Sequence, residues 1–364
     1  MSGKKKTVGK KNKSKVIHKG PNGWMLISIL ALITFFSFRP MLHHDFLNWD
    51  DETYIHENPL VQNVTFENVK EMFNPNHFLV GNYHPLTELS FALNYAFSEL
   101  EPNGYLWTNL ILHLLNVLVL FWLVYWLFKK NTIVAFITAG FFAIHPMHVE
   151  SVAWIAERKD LLYTFFYLLG LLAYIKYFLQ AKNLYLILTL LCFFASLLSK
   201  GQAVTFPLII ALMHFLFNRW TRKDLAIIGA MMFASLAFGI LAFKAQGDAL
   251  TMVDLSLLDR LLVGSQGFAL YLIKLFVPFH LSALHPYPMN MDWPVWVYAT
   301  PISLLLFLGL IYWSFSNNRK KYVFGLAFFL VTIFPVLQFT PVGLSTYAER
   351  YTYIPYIGLS LIHI

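Results

Sequence analysis

The chain reads as an all-α polytopic membrane protein. Three observations point there. Of its 364 residues, 58% are hydrophobic and only 13% charged, with a mean hydropathy of +0.57. Apolar runs of about 17–25 residues recur along it, the length of a membrane-spanning helix. Those runs are too long and too uniformly apolar for barrel strands, the other architecture whose backbone satisfies itself in hydrocarbon. A soluble domain does not carry that much apolar surface. Cys192 is the only cysteine, so an internal disulfide and a cysteine-based metal cluster are excluded.

The elements follow from charge. The formal net charge is +8, and basic residues crowd the opening stretch MSGKKKTVGKKNKSKVIHKG. Residues 1–23 read as a basic cytosolic tail that sets topology, rather than an arm for nucleic acid. No small-residue cleavage pattern follows the first apolar run, so that run, about 24–38, is a retained anchor. Residues 39–103 are then an external loop, rich in Asp and Glu. Further spans fall at about 104–128, 131–144, 161–179, 184–199, 203–217 and 225–243, with Lys129, Lys130 and the run NRWTRKD marking the inner side. Residues 244–293 form a second external or interfacial region. Its stretch 261–279 is apolar enough to span, but Arg260, Gln266 and Lys274 interrupt the pattern, which suits a helix along the surface. That choice returns Arg319, Lys320 and Lys321 to the inner side. Spans at about 294–313 and 323–338 and the start of another near Tyr351 bring the expected total to about 10. The chain stops about half a span after Arg350 and reads as truncated.

Four outer segments carry chemistry. NWDDETYIHENP sets Asp50, Asp51 and Glu52 side by side. Carboxylates there can take a proton from a nucleophile, hold a divalent metal, or stand solvated. NYHPLTELSFALNYAFSELEP begins a helix at Pro85, with Leu86, Leu89, Leu93, Phe97 and Leu100 on one stripe, as in an interfacial helix. His84 and Glu88 are either surface groups of it or line a cleft shared with Asp50. HPMHVESVAWIAERKDLL holds His145, His148 and Glu150, without the H-E-x-x-H spacing of a metalloprotease. At the mouth of the next span it adds Arg158 and Lys159, which either snorkel or hold a phosphate. AERYTYIPYIG brings Glu349 and Arg350 to another outer boundary, as an ion pair or a second phosphate contact. A channel needs charge deep along a path. Here it gathers at one face, which suits a lipid whose phosphate stays near the headgroups.

At these residues the sequence resembles the integral-membrane glycosyltransferases of the GT-C class. It is most similar to the transmembrane and tetratricopeptide-repeat O-mannosyltransferases and their bacterial relatives, and more distantly similar to the protein O-mannosyltransferases. NWDDETYI, NYHPLTELSFALNYAF, NLILHLLNVLVLF, HPMHVESVAWIAERKDLL and AERYTYIPYIG carry the likeness, over most of residues 24–364. The resemblance implies a GT-C-like membrane domain and sugar transfer from a polyprenyl-phosphate-linked donor, mannose being the expected sugar, to an external hydroxyl on a protein or glycan. It makes Asp51, or else Asp50, the general base, with Glu52 beside it, and gives Arg158 and Arg350 the donor phosphate. His84, Glu88, His145, His148, Glu150, Lys159 and Glu349 are then substrate-positioning candidates. Asp50, Asp51 and His145 could ligate a divalent ion, but the resemblance implies neither metal nor other cofactor. The tetratricopeptide repeats common after such domains are not found in this sequence. A bacterial plasma membrane is expected, or the endoplasmic reticulum in a eukaryote, with membrane lipids and the lipid-linked donor as partners. Two rivals stand beside this reading: a transporter of lipid-linked sugar or phosphate, and a non-catalytic scaffold.

Overall fold

The computed structural model describes residues 22–247, 255–288, 291–339 and 345–362. Residues 1–21 of the basic tail and parts of the second external region lie outside the described residues. Among the described residues there is no strand, only the isolated bridges Leu79–Asn82 and Pro286–Ser345.

Helix α1 (Gly23–Phe38) starts where the Asn22 side chain accepts the Trp24 N–H at 3.1 Å. It buries every fourth residue, Leu26, Leu30, Thr34 and Phe38, in one stripe against the bundle. Trp24, Leu32 and Phe36 face outwards, as in a lipid-facing helix, while Ile27 and Phe35 flank the buried stripe. Pro40 cannot supply an α-helical N–H, and the chain turns into a 3-10 segment, Arg39–His43.

The loop that follows is compact. It holds α2 (Pro59–Gln62), α3 (Phe66–Met72) and α4 (Pro85–Ser98). The C-terminal half of the apolar stripe of α4 points away from the protein, Leu93 being 50% and Phe97 88% exposed, while Leu89 packs against the core. Its inner side is Thr87, Glu88, Phe91 and Ala92. Glu88 accepts from Asn58 Nδ2 at 2.8 Å and pairs with His77 Nε2 at 3.0 Å, tying the loop to itself.

Then come α5 (Pro102–Leu127), α6 (Thr132–Ile144), the short α7 (Val149–Ala153), α8 (Arg158–Gln180), α9 (Asn183–Ser199), α10 (Phe206–Phe217) and α11 (Arg222–Ala245). After a break follow α12 (Leu257–Lys274), α13 (Pro301–Ser316), α14 (Lys320–Ile333) and α15 (Pro355–Ser360). Gly325 and Gly358 let α14 and α15 touch: a Cβ on Gly358 would stand 2.6 Å from the Gly325 carbonyl and 2.7 Å from the Phe329 nitrogen.

Five described helices are long and apolar enough to cross a membrane, six if the bent pair α6–α7 is one span. The chain is therefore a multi-pass membrane protein, with fewer clear spans than the ten expected. The difference is helix length. At about 1.5 Å per residue, α9 reaches about 26 Å, α10 about 18 Å and α14 about 21 Å, against about 30 Å of hydrocarbon. Apolar runs that looked continuous are interrupted, as at Gly201–Thr205, where a 3-10 turn separates α9 from α10. α12 is not among the five. It starts at a Ser256–Asp259 capping box and ends at the buried Lys274.

Candidate active site

The span after α5 is broken twice. α6 stops at His145–Pro146, bends by 58° into α7, and the chain is irregular again at Trp154 before α8 starts. Each break frees backbone carbonyls that hydrocarbon cannot satisfy. Buried side chains do so instead. His113 of α5 bonds the Ala143 carbonyl at 3.0 Å, and Asn109 donates to those of Val152 and Trp154, both at 3.3 Å. His148 donates to the Phe142 carbonyl at 2.9 Å. The breaks are thus held rigid. They deliver Glu150, Glu157, Arg158, Lys159 and Asp160 to one end of the bundle, and all but Glu150 are at most 5% exposed.

The external loop docks onto this end through Asp51. Its carboxylate is fully buried, accepting the Leu47 N–H at 2.9 Å and the Ala156 N–H at 2.7 Å. Burial pushes the Asp51 carboxyl up, and those hydrogen bonds only partly offset the effect. Anchoring Asp51 inwards turns Asp50 the other way. Asp50 lines a cavity of about 420 Å³ and pairs with Lys159 at 3.3 Å.

Four more charged groups line that cavity: Glu157, Lys159, Lys200 and Arg350. Glu157 sits among three cations, 3.0 Å from Lys159, 3.6 Å from Lys200 and 3.2 Å from Arg350 Nε. Lys200 also reaches Asp160 at 2.5 Å, and Arg350 pairs with Glu150. Charges this buried persist because each has several partners. The opposite wall is apolar: Gly239, Ala242 and Phe243 of α11, with Pro335 and Val336 after α14. A two-residue turn overhangs the cavity. Val80 and Gly81 both have positive φ, 49° and 66°, and Val80 is β-branched, which makes its conformation a strained one.

The structure brings Asp50, Lys159, Arg350 and His84 to one cavity, and it places the other expected residues elsewhere. Arg158 is fully buried and directed away: Nε donates to Asn109 at 2.8 Å, Nη1 to Asn94 and the Ser90 carbonyl at 2.5 and 3.1 Å, and Nη2 to the Tyr105 carbonyl at 3.0 Å. The guanidinium lies over Phe91 at 4.6 Å. Those donors leave a phosphate little to hold. Glu52 is exposed on a π-turn, and Glu88 is a loop tie. His145 bonds the Leu275 carbonyl, and His148 is packed between Tyr353 and Tyr356. Asp50, Asp51 and His145 therefore do not converge, and no metal-holding group of three or more His, Cys, Asp or Glu occurs among the described residues.

Glu150 and Glu349 line a second cavity of about 620 Å³ on the other side of Trp154. Burial alone would raise Glu349, but His285 at 2.9 Å and Lys274 at 3.2 Å outweigh it and hold its carboxyl below the usual value. Sequence reasoning set Glu157 and Asp160 beside Arg158 at the mouth of the span without giving them a role in the site, and it missed Lys200. Lys200 had a signal: a lone cation closing a long apolar run needs a partner.

No family model matches the chain. Curated proteins do. It is 36% identical over 126 residues to the protein O-mannosyl-transferase Tmtc1 of Drosophila melanogaster, covering 34% of this chain and 14% of that protein. To TMTC3 of Homo sapiens it is 41% identical over 95 residues, 26% of this chain and 10% of that protein. To the protein O-mannosyl-transferase F38B6.6 of Caenorhabditis elegans it is 27% identical over 302 residues, 77% of this chain and 41% of that one. The chain is a relative of the protein O-mannosyl-transferases. The resemblance to the O-mannosyltransferases read from NWDDETYI and the motifs after it is borne out. The matched segments span less than half the length of these O-mannosyl-transferases, and for the fly and human proteins about a tenth.

Proposed function

We propose that the chain is a glycosyltransferase that moves mannose from a polyprenyl-phosphate donor to a hydroxyl of a protein acceptor at the external face. The observation that carries this is the composition of one cavity. It joins a carboxylate, Asp50, to a buried cation cluster, Lys159, Lys200 and Arg350, and to an apolar wall on α11. A base, a phosphate site and a lipid wall are what such a donor needs. The names of the relatives favour the same reading.

The base in this proposal is Asp50, with Asp51 as its anchor. The acceptor oxygen forms a bond to the anomeric carbon while Asp50 takes the hydroxyl proton. The bond from that carbon to the phosphate oxygen breaks, and polyprenyl phosphate leaves with the electron pair. Attack from the far side inverts the anomeric centre. Lys159, Lys200 and Arg350 stabilise the charge growing on the phosphate, and they are prearranged by Glu157 and Asp160 before the lipid arrives. No separate acid is required, since the phosphate is a good leaving group.

The test is incubation of purified protein in nanodiscs with labelled polyprenyl-phosphate sugars and a peptide library, read by mass spectrometry. Hexosylated Ser or Thr peptides are expected, and Lys200→Met should weaken both donor binding and transfer. A wild-type protein that binds such donors but never transfers their sugar would contradict the proposal.

A further inference from the structure

Beside the ion cluster and the apolar wall, the uncharged polar side chains that line the cavity include His84, Gln202 and Gln246. They come from three elements: the start of α4, the 3-10 turn after α9 and the end of α11. His84 is 9% exposed, and its buried Nδ1 has no hydrogen-bond partner among the described residues. A buried polar group without a partner is costly and calls for an explanation such as a ligand. The side chains of Gln202 and Gln246 likewise make no hydrogen bond among the described residues.

The order of groups gives a direction. Gly239, Ala242 and Gln246 share one face of α11 by their spacing, so that face changes from apolar to polar towards its C-terminal end. Gly201 packs against Ala242, where a Cβ would meet Ala242 Cβ at 3.3 Å, which sets Gln202 beside that polar end. Burial and the nearby charges of Lys159 and Lys200 keep the His84 imidazole neutral.

We infer that His84, Gln202 and Gln246 form the glycosyl end of the cavity and take a neutral pyranose, read through its hydroxyls. Resting on the function proposed above, this assigns the donor an orientation: tail along α11, phosphate at the lysines, sugar under the Val80–Gly81 turn. Neutral amides and imidazole both donate and accept, which matches hydroxyl groups.

The experiment compares two ligands, a synthetic polyprenyl phosphate and the same lipid carrying mannose, binding to protein in nanodiscs. Wild type should bind the mannosyl lipid more tightly. His84→Ala should weaken the mannosyl lipid about 3- to 10-fold, one neutral hydrogen bond, and leave the bare lipid unchanged. His84→Gln, which keeps a donor, should restore part of the loss, and Gln202→Ala, on a separate element, should act like His84→Ala. Equal weakening of both lipids by His84→Ala and no effect of Gln202→Ala would overturn the inference. So would wild-type protein that binds the two lipids equally, with the phosphate proposal intact. A wild type that binds neither would overturn the proposed function itself.

Discussion

Asp50 and Asp51 are neighbours with opposite surroundings, and their amide variants should fail differently. Asp50→Asn removes the proposed proton acceptor. General-base catalysis is worth about 10²- to 10⁴-fold, so transfer should fall by that factor, about 2.7–5.5 kcal/mol of barrier. Its effect on stability should be small, because Asp50 is partly exposed and holds one ion pair, at 3.3 Å to Lys159, worth about 1 kcal/mol or less. Asp51→Asn keeps one acceptor oxygen but turns an NH₂ towards a buried N–H, of either Leu47 or Ala156. Losing one charge-assisted bond costs about 1.5–3 kcal/mol. Asp51→Asn should therefore lower the thermal midpoint in detergent, and its folded fraction should still transfer. The assay is single-turnover mannosyl transfer to a Ser/Thr peptide, normalised to folded protein by size exclusion. Normal transfer by Asp50→Asn, with a dead but well-folded Asp51→Asn, would refute the assignment of roles.

Other variants probe the scaffold. Arg158→Lys cannot reproduce four directed donors and stacking on Phe91, so it should lower the thermal midpoint while the affinity of folded protein for polyprenyl phosphate stays unchanged; a pure affinity loss would make Arg158 a phosphate ligand. Gly358→Ala drives a Cβ to within 2.6 Å of the Gly325 carbonyl and should destabilise by about 1–3 kcal/mol, read as a lower midpoint. The pKa of His84 lies well below 6.5 in the folded chain, so the folded state binds fewer protons than the unfolded one and His84 costs stability as pH falls below about 6.5. Wild type should therefore lose more thermal stability between pH 7 and 5 than His84→Gln; identical losses would show His84 protonated in the fold. Asn317→Cys should resist a membrane-impermeant thiol reagent in sealed cells while His44→Cys reacts, and labelling of Asn317→Cys would reverse the proposed topology.

Much of this architecture was legible because hydrocarbon imposes simple demands. Apolar runs gave the helical membrane class, and the outward stripe of α4 followed from Leu93 and Phe97. Helix length was less legible, since composition does not reveal where a run breaks. His145–Pro146 and Trp154 break the span within a continuous apolar pattern, and the groups that repair the breaks, Asn109 and His113, lie more than thirty residues upstream. Within the site, adjacency misled. The Glu following Asp51 favoured Asp51 as the base, but whether a loop carboxylate faces a cavity depends on which neighbour finds backbone donors, and Asp51 finds two. Arg158 and Lys159 are also adjacent, and one faces the protein while the other faces the cavity. Lys200 joins Glu157 and Asp160 across forty residues, a pairing that no local pattern encodes.

Proton removal by Asp50 and phosphate departure at the lysines are proposed to occur in one cavity. The most direct measurement is a single turnover with donor labelled separately in lipid and sugar, in nanodiscs with acceptor peptide. One polyprenyl phosphate should be released per mannosyl peptide, with the anomeric configuration inverted. Retention of configuration, or sugar reaching the peptide without release of polyprenyl phosphate, would contradict it.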